Sequence, residues 1–138
     1  SIIEWVAFAS NAFNVLVPFY ADVNEIPEYL GNTTGEVSTD NFYWSSRLIA
    51  AMADASYRKS IFHIERYQEH VMSRAHELIG LCDASLAKES DADKRLELKQ
   101  KANQALADML KAETASTLDK VLYELSNLMK NAYSRSDA

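Results

Sequence analysis

Two patterns of hydrophobic and polar positions divide the chain near residue 38. Before that point, aromatic and β-branched residues form two short runs that are apolar at nearly every position. After it, apolar residues recur every three or four positions. The first pattern is typical of buried strands and the second of amphipathic helices. We therefore predict a β-hairpin and crossing loop over residues 1–37 and a helical region over residues 38–138.

The first twenty residues predict a β-hairpin. Its strands are Ile2 to Phe8 and Phe13 to Phe19, and the turn between them contains Ser10 and Asn11. Both runs are apolar on both faces, and a two-stranded ribbon cannot cover itself. The hairpin therefore belongs inside a larger sheet or must find a partner. Pro18 lacks an N–H group, so strand pairing should end at or near it.

Three helical segments follow a long crossing loop over residues 21–39. Candidate N-caps at Ser38, Thr39 and Asp40 begin a helix that ends near residue 55. A second helix, with Ser56 as its cap, runs from Tyr57 to about residue 87. A capping-box-like pair, Ser90 and Asp93, begins the last segment.

The last segment keeps one apolar period from residue 98 to residue 133, although residues 113–117 are rich in Thr and Ser. We predict one long helix there, with a bend as the alternative. Two such long helices should lie antiparallel. The expected fold is mainly α (α+β): an N-terminal β-hairpin followed by three antiparallel helices, two of them long.

Composition narrows the class of function. The 138 residues carry a formal net charge of -6, which disfavours binding to nucleic acid or to an anionic membrane. No apolar stretch is long enough to span a membrane. Cys82 is the single cysteine, so no disulfide forms within the chain, and a cytoplasmic location is favoured while secretion stays open. The start at Ser1 indicates an excised fragment.

The candidate chemistry is sparse. His63 and His70 share a helix face, but their spacing is not that of a zinc-binding helix, so we predict no metal site there. Cys82 falls in an apolar stripe, which favours an inert core thiol over a nucleophile. The sequence contains no glycine-rich phosphate loop. We therefore predict no catalytic residue, no metal and no cofactor in this chain.

Several segments, in order, resemble the bacterial dipeptidase A family of cysteine peptidases over roughly residues 4–85. The matching segments are Trp5 to Ala7, Ser10 to Tyr20, Asn24, Pro27 to Tyr29, Ser38 to Trp44, Arg47 to Ala51 and His63 to Gln68. The resemblance implies the C-terminal part of an αββα N-terminal-nucleophile hydrolase. In such enzymes a cysteine at the mature N-terminus attacks the peptide bond, and its own α-amino group is the base.

This sequence departs from the family at the decisive point, because Ser1 stands at its N-terminus and Cys82 lies within a helix. The resemblance implies that the nucleophile and the oxyanion-stabilising groups lie in an N-terminal catalytic part of the same polypeptide. The substrate of that whole enzyme would be a dipeptide, and the fragment alone should be inactive. The alternative is a non-enzymatic helical module that binds a partner protein.

Packing is the expected role of the aromatic side chains. These are Trp5, Phe8, Phe13, Phe19, Tyr20 and Trp44. The substrate-binding residues are unknown from the sequence, and Asn11 or Asn14, near the hairpin turn, are the alternatives that could approach a substrate pocket. Because the strands of an excised hairpin have unpaired edges, we expect a homo-oligomer or a strand-exchanged dimer.

Overall fold

The computed structural model describes residues 2–7 and 13–136, with side chains as far as residue 131. Within these ranges two strands precede four helices. The elements are β1 (Ile3–Val6), β2 (Val17–Tyr20), α1 (Glu28–Gly31), α2 (Phe42–Ala55), α3 (Tyr57–Ala87) and α4 (Ala92–Ser136). The predicted class, mainly helical with an N-terminal hairpin, is confirmed. The short helix α1 lies where the sequence predicts only a loop.

β1 and β2 pair antiparallel, with Ile3 opposite Tyr20 and Val6 opposite Val17. The strands are shorter than predicted, and the whole predicted turn, residues 9–12, lies outside the described residues. Pairing does not end at Pro18, which stands opposite Trp5 inside the ladder. The Ala21 N–H donates to the Ile2 carbonyl at 2.8 Å. Because N–H directions alternate along a strand, position 18 points away from β1, and its missing N–H removes no bond of the ladder.

The helices begin close to the predicted positions, but different residues cap them. Asn41, rather than Ser38, Thr39 or Asp40, caps α2, because its side chain accepts from the Trp44 N–H at 2.9 Å. Helix α3 begins at Tyr57, as predicted. The Ser56 hydroxyl does not cap α3, however, but donates back to the Met52 carbonyl at 2.8 Å.

Helix α4 is continuous over 45 residues, through the segment rich in Thr and Ser. The prediction of one long helix is therefore confirmed. Its first turn is capped by Asp91, whose carboxylate accepts from the Lys94 N–H at 3.0 Å. The predicted pair Ser90 and Asp93 does not make this cap. At 1.5 Å per residue, α4 is about 67 Å long and α3 about 46 Å.

The two long helices lie antiparallel. Cys82 near the end of α3 contacts the Leu98 carbonyl near the start of α4, at 3.5 Å. Towards the other end, His63 contacts Glu124 at 3.2 Å. Helix α2 packs mainly against α4. Helices α2, α3 and α4 thus pack against one another, and strand β2 of the hairpin is part of the same core.

The two faces of β2 enter two different hydrophobic clusters. Val17 and Phe19 belong to the main core, with residues of α2, α3 and α4. Tyr20 belongs to a second cluster with Cys82, Leu86 and Ala102. Every residue of β2 is buried, so the expected cover on both faces is present for this strand.

β1 is much less covered than predicted. The Trp5 side chain is 50% exposed, and Ile2 beside the strand is 63% exposed. Of the other aromatic residues predicted to pack, Phe19 and Tyr20 are buried, Phe13 and Trp44 are half-buried, and Phe8 lies outside the described residues. The packing of Trp5 in the longer polypeptide stays a prediction. In this chain its ring lies edge-to-face against His76, with the ring centroids 6.5 Å apart, and β1 has one neighbouring strand in the described part of the chain.

Candidate functional site

The hairpin and the part of α4 that holds it form the candidate functional site. Tyr20 is the last residue of β2, and Asn103 lies on α4 with only 2% of its surface exposed. The Tyr20 N–H donates to Asn103 Oδ1 at 2.8 Å, and Asn103 Nδ2 donates to the Tyr20 carbonyl at 2.9 Å. A side-chain amide thus makes both hydrogen bonds that a neighbouring strand would make. We call this pair of bonds the Asn103 clamp.

A second polar contact lies one helical turn from the clamp. Lys99 Nζ donates to the Asp22 carboxylate at 2.5 Å. Lys99 is 8% exposed, so this ion pair holds a cation that would otherwise be buried without a partner. The hydrogen bond from Lys99 lowers the pKa of Asp22 below its ordinary value. The other Asp22 oxygen accepts from the Ile2 N–H at 3.3 Å, which connects α4 to the start of β1.

The Tyr20 side chain extends the contact to α3. Its hydroxyl donates to the Asp83 carboxylate at 2.6 Å. Burial of the ring, followed by this hydrogen bond, raises the pKa of Tyr20 well above its ordinary value. The phenol therefore stays protonated near neutral pH and serves as a hydrogen-bond donor. Backbone and side chain of one residue thus connect β2 to both long helices.

A groove of about 400 Å³ opens beside the hairpin. Apolar side chains of β1, β2 and α1 line it, together with the carboxylates of Glu4 and Glu25. The apolar lining includes Val6, Phe19, Ile26 and Leu30. Ile26 at its rim is 74% exposed. The groove can therefore accept an apolar segment, and its charged groups favour a basic or neutral neighbour.

Of the two residues that the sequence offered as alternatives for substrate binding, Asn14 does not line this groove. Asn11 lies outside the described residues. Asn14 is buried, and its backbone carbonyl accepts from Gln68 Nε2 on α3 at 3.0 Å. It therefore helps to attach the segment before β2 to α3.

Cys82 is buried, as predicted, and its thiol donates to the Leu98 carbonyl. The two histidines of α3 each contact a glutamate of α4: His63 with Glu124 at 3.2 Å and His70 with Glu113 at 3.7 Å. Across residues 2–7 and 13–136, no cluster of three or more His, Cys, Asp or Glu side chains is arranged to hold a metal ion. No helix in this part of the chain is long and apolar enough to cross a membrane.

Sequence reasoning missed the buried polar residues of α4, which are Lys99, Asn103, Thr114 and Thr117. Thr114 meets the Tyr67 hydroxyl of α3 at 2.9 Å. The signal was nevertheless present in the sequence. Steps of three and four residues from Leu106 and Leu110, in both directions, reach all four positions and then Val121, so these polar residues share the buried stripe.

Known proteins resemble this chain in sequence. The model of peptidase family C69 matches residues 1–70. A protein named "Probable dipeptidase A" from Streptococcus pyogenes serotype M18 is 41% identical over 135 residues, which are 98% of this chain and 28% of that protein. A "Dipeptidase" from Bifidobacterium longum is 35% identical over 172 residues, which cover 98% of this chain and 32% of that protein.

The chain therefore spans about three-tenths of the length of these relatives. The family match covers more than half of the chain and includes the whole hairpin, α1 and α2. The chain belongs to peptidase family C69.

Proposed function

We propose that this chain is the C-terminal part of a dipeptidase whose catalytic cysteine lies outside it. The carrying observation is its membership of peptidase family C69 together with its coverage of only 28% of a relative named as a dipeptidase. Cys82 is the single cysteine, and it is buried and bonded to a helix carbonyl. A buried thiol without a neighbouring base is a poor nucleophile, so this chain does not supply the attacking group.

The role of the chain in that enzyme is structural support of the sheet. In this proposal the hairpin contributes strands, and α3 and α4 cover both faces of β2 and hold its outer edge. The Asn103 clamp and the Asp22–Lys99 ion pair fix the hairpin on the helices. The substrate is a dipeptide, and the N-terminal catalytic part of the same polypeptide is the partner that binds it. The free, buried state of Cys82 supports a reducing, cytoplasmic location.

Release of amino acids from a panel of dipeptides tests this function. The longer polypeptide that contains this chain should hydrolyse dipeptides, and replacing the cysteine at its mature N-terminus by alanine should abolish the reaction. The 138-residue chain alone should release nothing, and Cys82→Ala in the longer protein should leave its rate unchanged. Hydrolysis by the isolated chain, or its loss on Cys82→Ala, would contradict the proposal.

Self-association of the isolated chain is also proposed, because its second half exposes apolar side chains. Leu122, Tyr123 and Met129 of α4 are 48%, 65% and 65% exposed. A second copy of the chain is the partner that would cover them when the rest of the enzyme is absent. Light scattering should give a dimeric mass at high concentration, and Leu122→Glu should return it to the monomer.

A further inference from the structure

The two outer edges of the hairpin differ in what they can bind. On the outer edge of β2, the Tyr20 N–H and C=O are both taken by the Asn103 clamp. Pro18, the other residue that faces this edge, has no N–H to offer. A further strand therefore finds no free pair of backbone groups here. Natural sheets end their edges with devices of this kind.

The outer edge of β1 is open. The Ala21 N–H bonds to the Ile2 carbonyl, and so the alternation along the ladder turns Ile2, Glu4 and Val6 towards β2. Ile3 and Trp5 then direct their N–H and C=O groups to the other side. The hydrogen bonds among the described residues include none to these outward groups, and the sheet has two strands in this part of the chain. This edge offers two donors and two acceptors to an incoming strand.

We propose that a strand from the remainder of the same peptidase polypeptide pairs with the outer edge of β1, and that β2 is the last strand of the resulting sheet. This inference rests on the proposed function, because it takes the incoming strand from the part of the enzyme that this chain lacks. It also makes the sequence-based expectation more specific, which was that the hairpin lies inside a larger sheet or finds a partner. Only β1 has a free side on which the sheet can continue.

Charge argues against a second copy of this chain as the incoming strand. Antiparallel pairing of two β1 strands through Ile3 and Trp5, at the longest overlap, places Glu4 directly opposite Glu4 of the other copy. Like charges at directly opposed positions of a sheet are destabilising. Glu25 lines the same groove as Glu4 and adds to the negative charge. The strand that fits carries a basic or neutral polar residue opposite Glu4. On the same face it carries an apolar residue opposite Val6, which also lines the groove.

A proline at position 5 tests the open edge with a matched control. Trp5→Pro and Trp5→Ala both remove the indole ring, but only Trp5→Pro removes the N–H that faces outward. Neither variant removes a bond of the ladder between β1 and β2, because the Trp5 N–H points away from β2. The two variants of the isolated 138-residue chain should therefore have nearly the same urea midpoint, which also shows that both fold.

In the complete polypeptide the two variants should differ. Trp5→Pro should lower the equilibrium constant for folding about tenfold to a hundredfold more than Trp5→Ala does, because the partner strand loses the donor for a buried carbonyl. Hydrogen exchange of the wild-type protein gives a second measurement. The Ile3 and Trp5 amides should exchange rapidly in the isolated chain and slowly in the complete polypeptide, whereas the Glu4 amide is protected in both.

Each outcome decides the proposal. Equal effects of the two variants, with rapid exchange at Ile3 and Trp5 in the complete polypeptide, would overturn it even if that polypeptide hydrolyses dipeptides. Protection that appears in the isolated chain only on dimerisation would also overturn it, because the occupant would then be a second copy. Protection in the complete polypeptide without dipeptide hydrolysis would support the strand pairing and refute the proposed function instead.

Discussion

The helical region and the hairpin differ in how much of their hydrogen bonding and apolar cover comes from their own residues. Helices α2, α3 and α4 bury one another's apolar stripes, and the backbone hydrogen bonds within each helix are local. The hairpin depends on the helices to bury the faces of β2 and to bond the outer edge of that strand. The comparison teaches that the helices supply most of the core that β2 enters, whereas the hairpin relies on the helices at the outer edge of β2 and, in our proposal, on a further strand at the outer edge of β1.

The largest effect should come from the helical core. Leu106→Ala removes a fully buried side chain of α4 and should lower the free energy of unfolding by about 3 kcal/mol, since a cavity is left. The matched control is Leu81→Ala on α3, where the residue is 63% exposed and the loss should be below about 0.5 kcal/mol. Urea unfolding measures both. Equal losses would mean that the buried side of α4 contributes little to the hydrophobic core.

The Asn103 clamp should rank second. Asn103→Ala leaves the buried N–H and C=O of Tyr20 without partners, which should cost about 2 kcal/mol. Asn103→Asp keeps an acceptor but loses the donor, so at neutral pH it cannot restore the bond to the Tyr20 carbonyl. Gln104→Ala, at the exposed neighbouring position, is the control and should change the free energy of unfolding by a few tenths of a kcal/mol. If Asn103→Ala cost no more stability than Gln104→Ala, the Asn103 clamp would not distinguish the outer edge of β2 from that of β1.

The Asp22–Lys99 ion pair should have a smaller effect that depends on pH. Asp22→Asn should lower stability by about 1 kcal/mol at pH 7, a figure that allows for the 31% exposure of the Asp22 side chain. The folded-state pKa of Asp22 is lowered, chiefly by the Lys99 hydrogen bond. The stabilisation is therefore complete above the ordinary value of 3.8 and is lost as the pH falls through the folded-state value.

Chemical unfolding of wild type and Asp22→Asn between pH 7 and pH 2 tests this dependence. The two curves should converge at the acid end. Glu97→Gln removes an exposed pair with Lys101 and should show almost no difference at any pH. A difference for Asp22→Asn that persists at pH 2 would show that the effect is not electrostatic.

The smallest effects should come from the two histidine–glutamate contacts between α3 and α4. A double-mutant cycle with His63→Ala and Glu124→Ala should give a coupling of about 0.5 kcal/mol at low salt, because both side chains are mostly buried, with exposures of 20% and 23%. The cycle for His70 and Glu113 should give a value near zero, since the His70 side chain is 64% exposed. A larger coupling at the exposed pair would contradict this ranking.

The sequence predicted the helices well because their signals are local. The start of α3 at Tyr57 and the continuity of α4 follow from steps of three and four residues. The caps at Asn41 and Asp91 were assigned to neighbouring residues, because several adjacent side chains could accept the same N–H. The helix α1 was missed because four residues give no period to detect.

The candidate site was harder to predict because its contacts join distant positions. Tyr20 and Asn103 are 83 residues apart, and no local rule connects a strand end to a helix amide over that distance. The hairpin itself was predicted, but the exposure of Trp5 was not. An apolar run indicates burial in the complete protein, and the described part of this chain supplies only one neighbouring strand to β1.

The polar residues on the buried stripe of α4 also fix the position of this helix, along its axis, relative to β2 and α3. Leucine side chains tolerate sliding between helices, but the bonds of Asn103 to Tyr20 and of Thr114 to Tyr67 each have one position that satisfies them. These two anchors are three helical turns apart, about 16 Å along α4. Inserting one residue between them would rotate one anchor by about 100° relative to the other. The spacing between positions 103 and 114 therefore sets the alignment of sheet and helices, and it should tolerate substitution far better than a change in length.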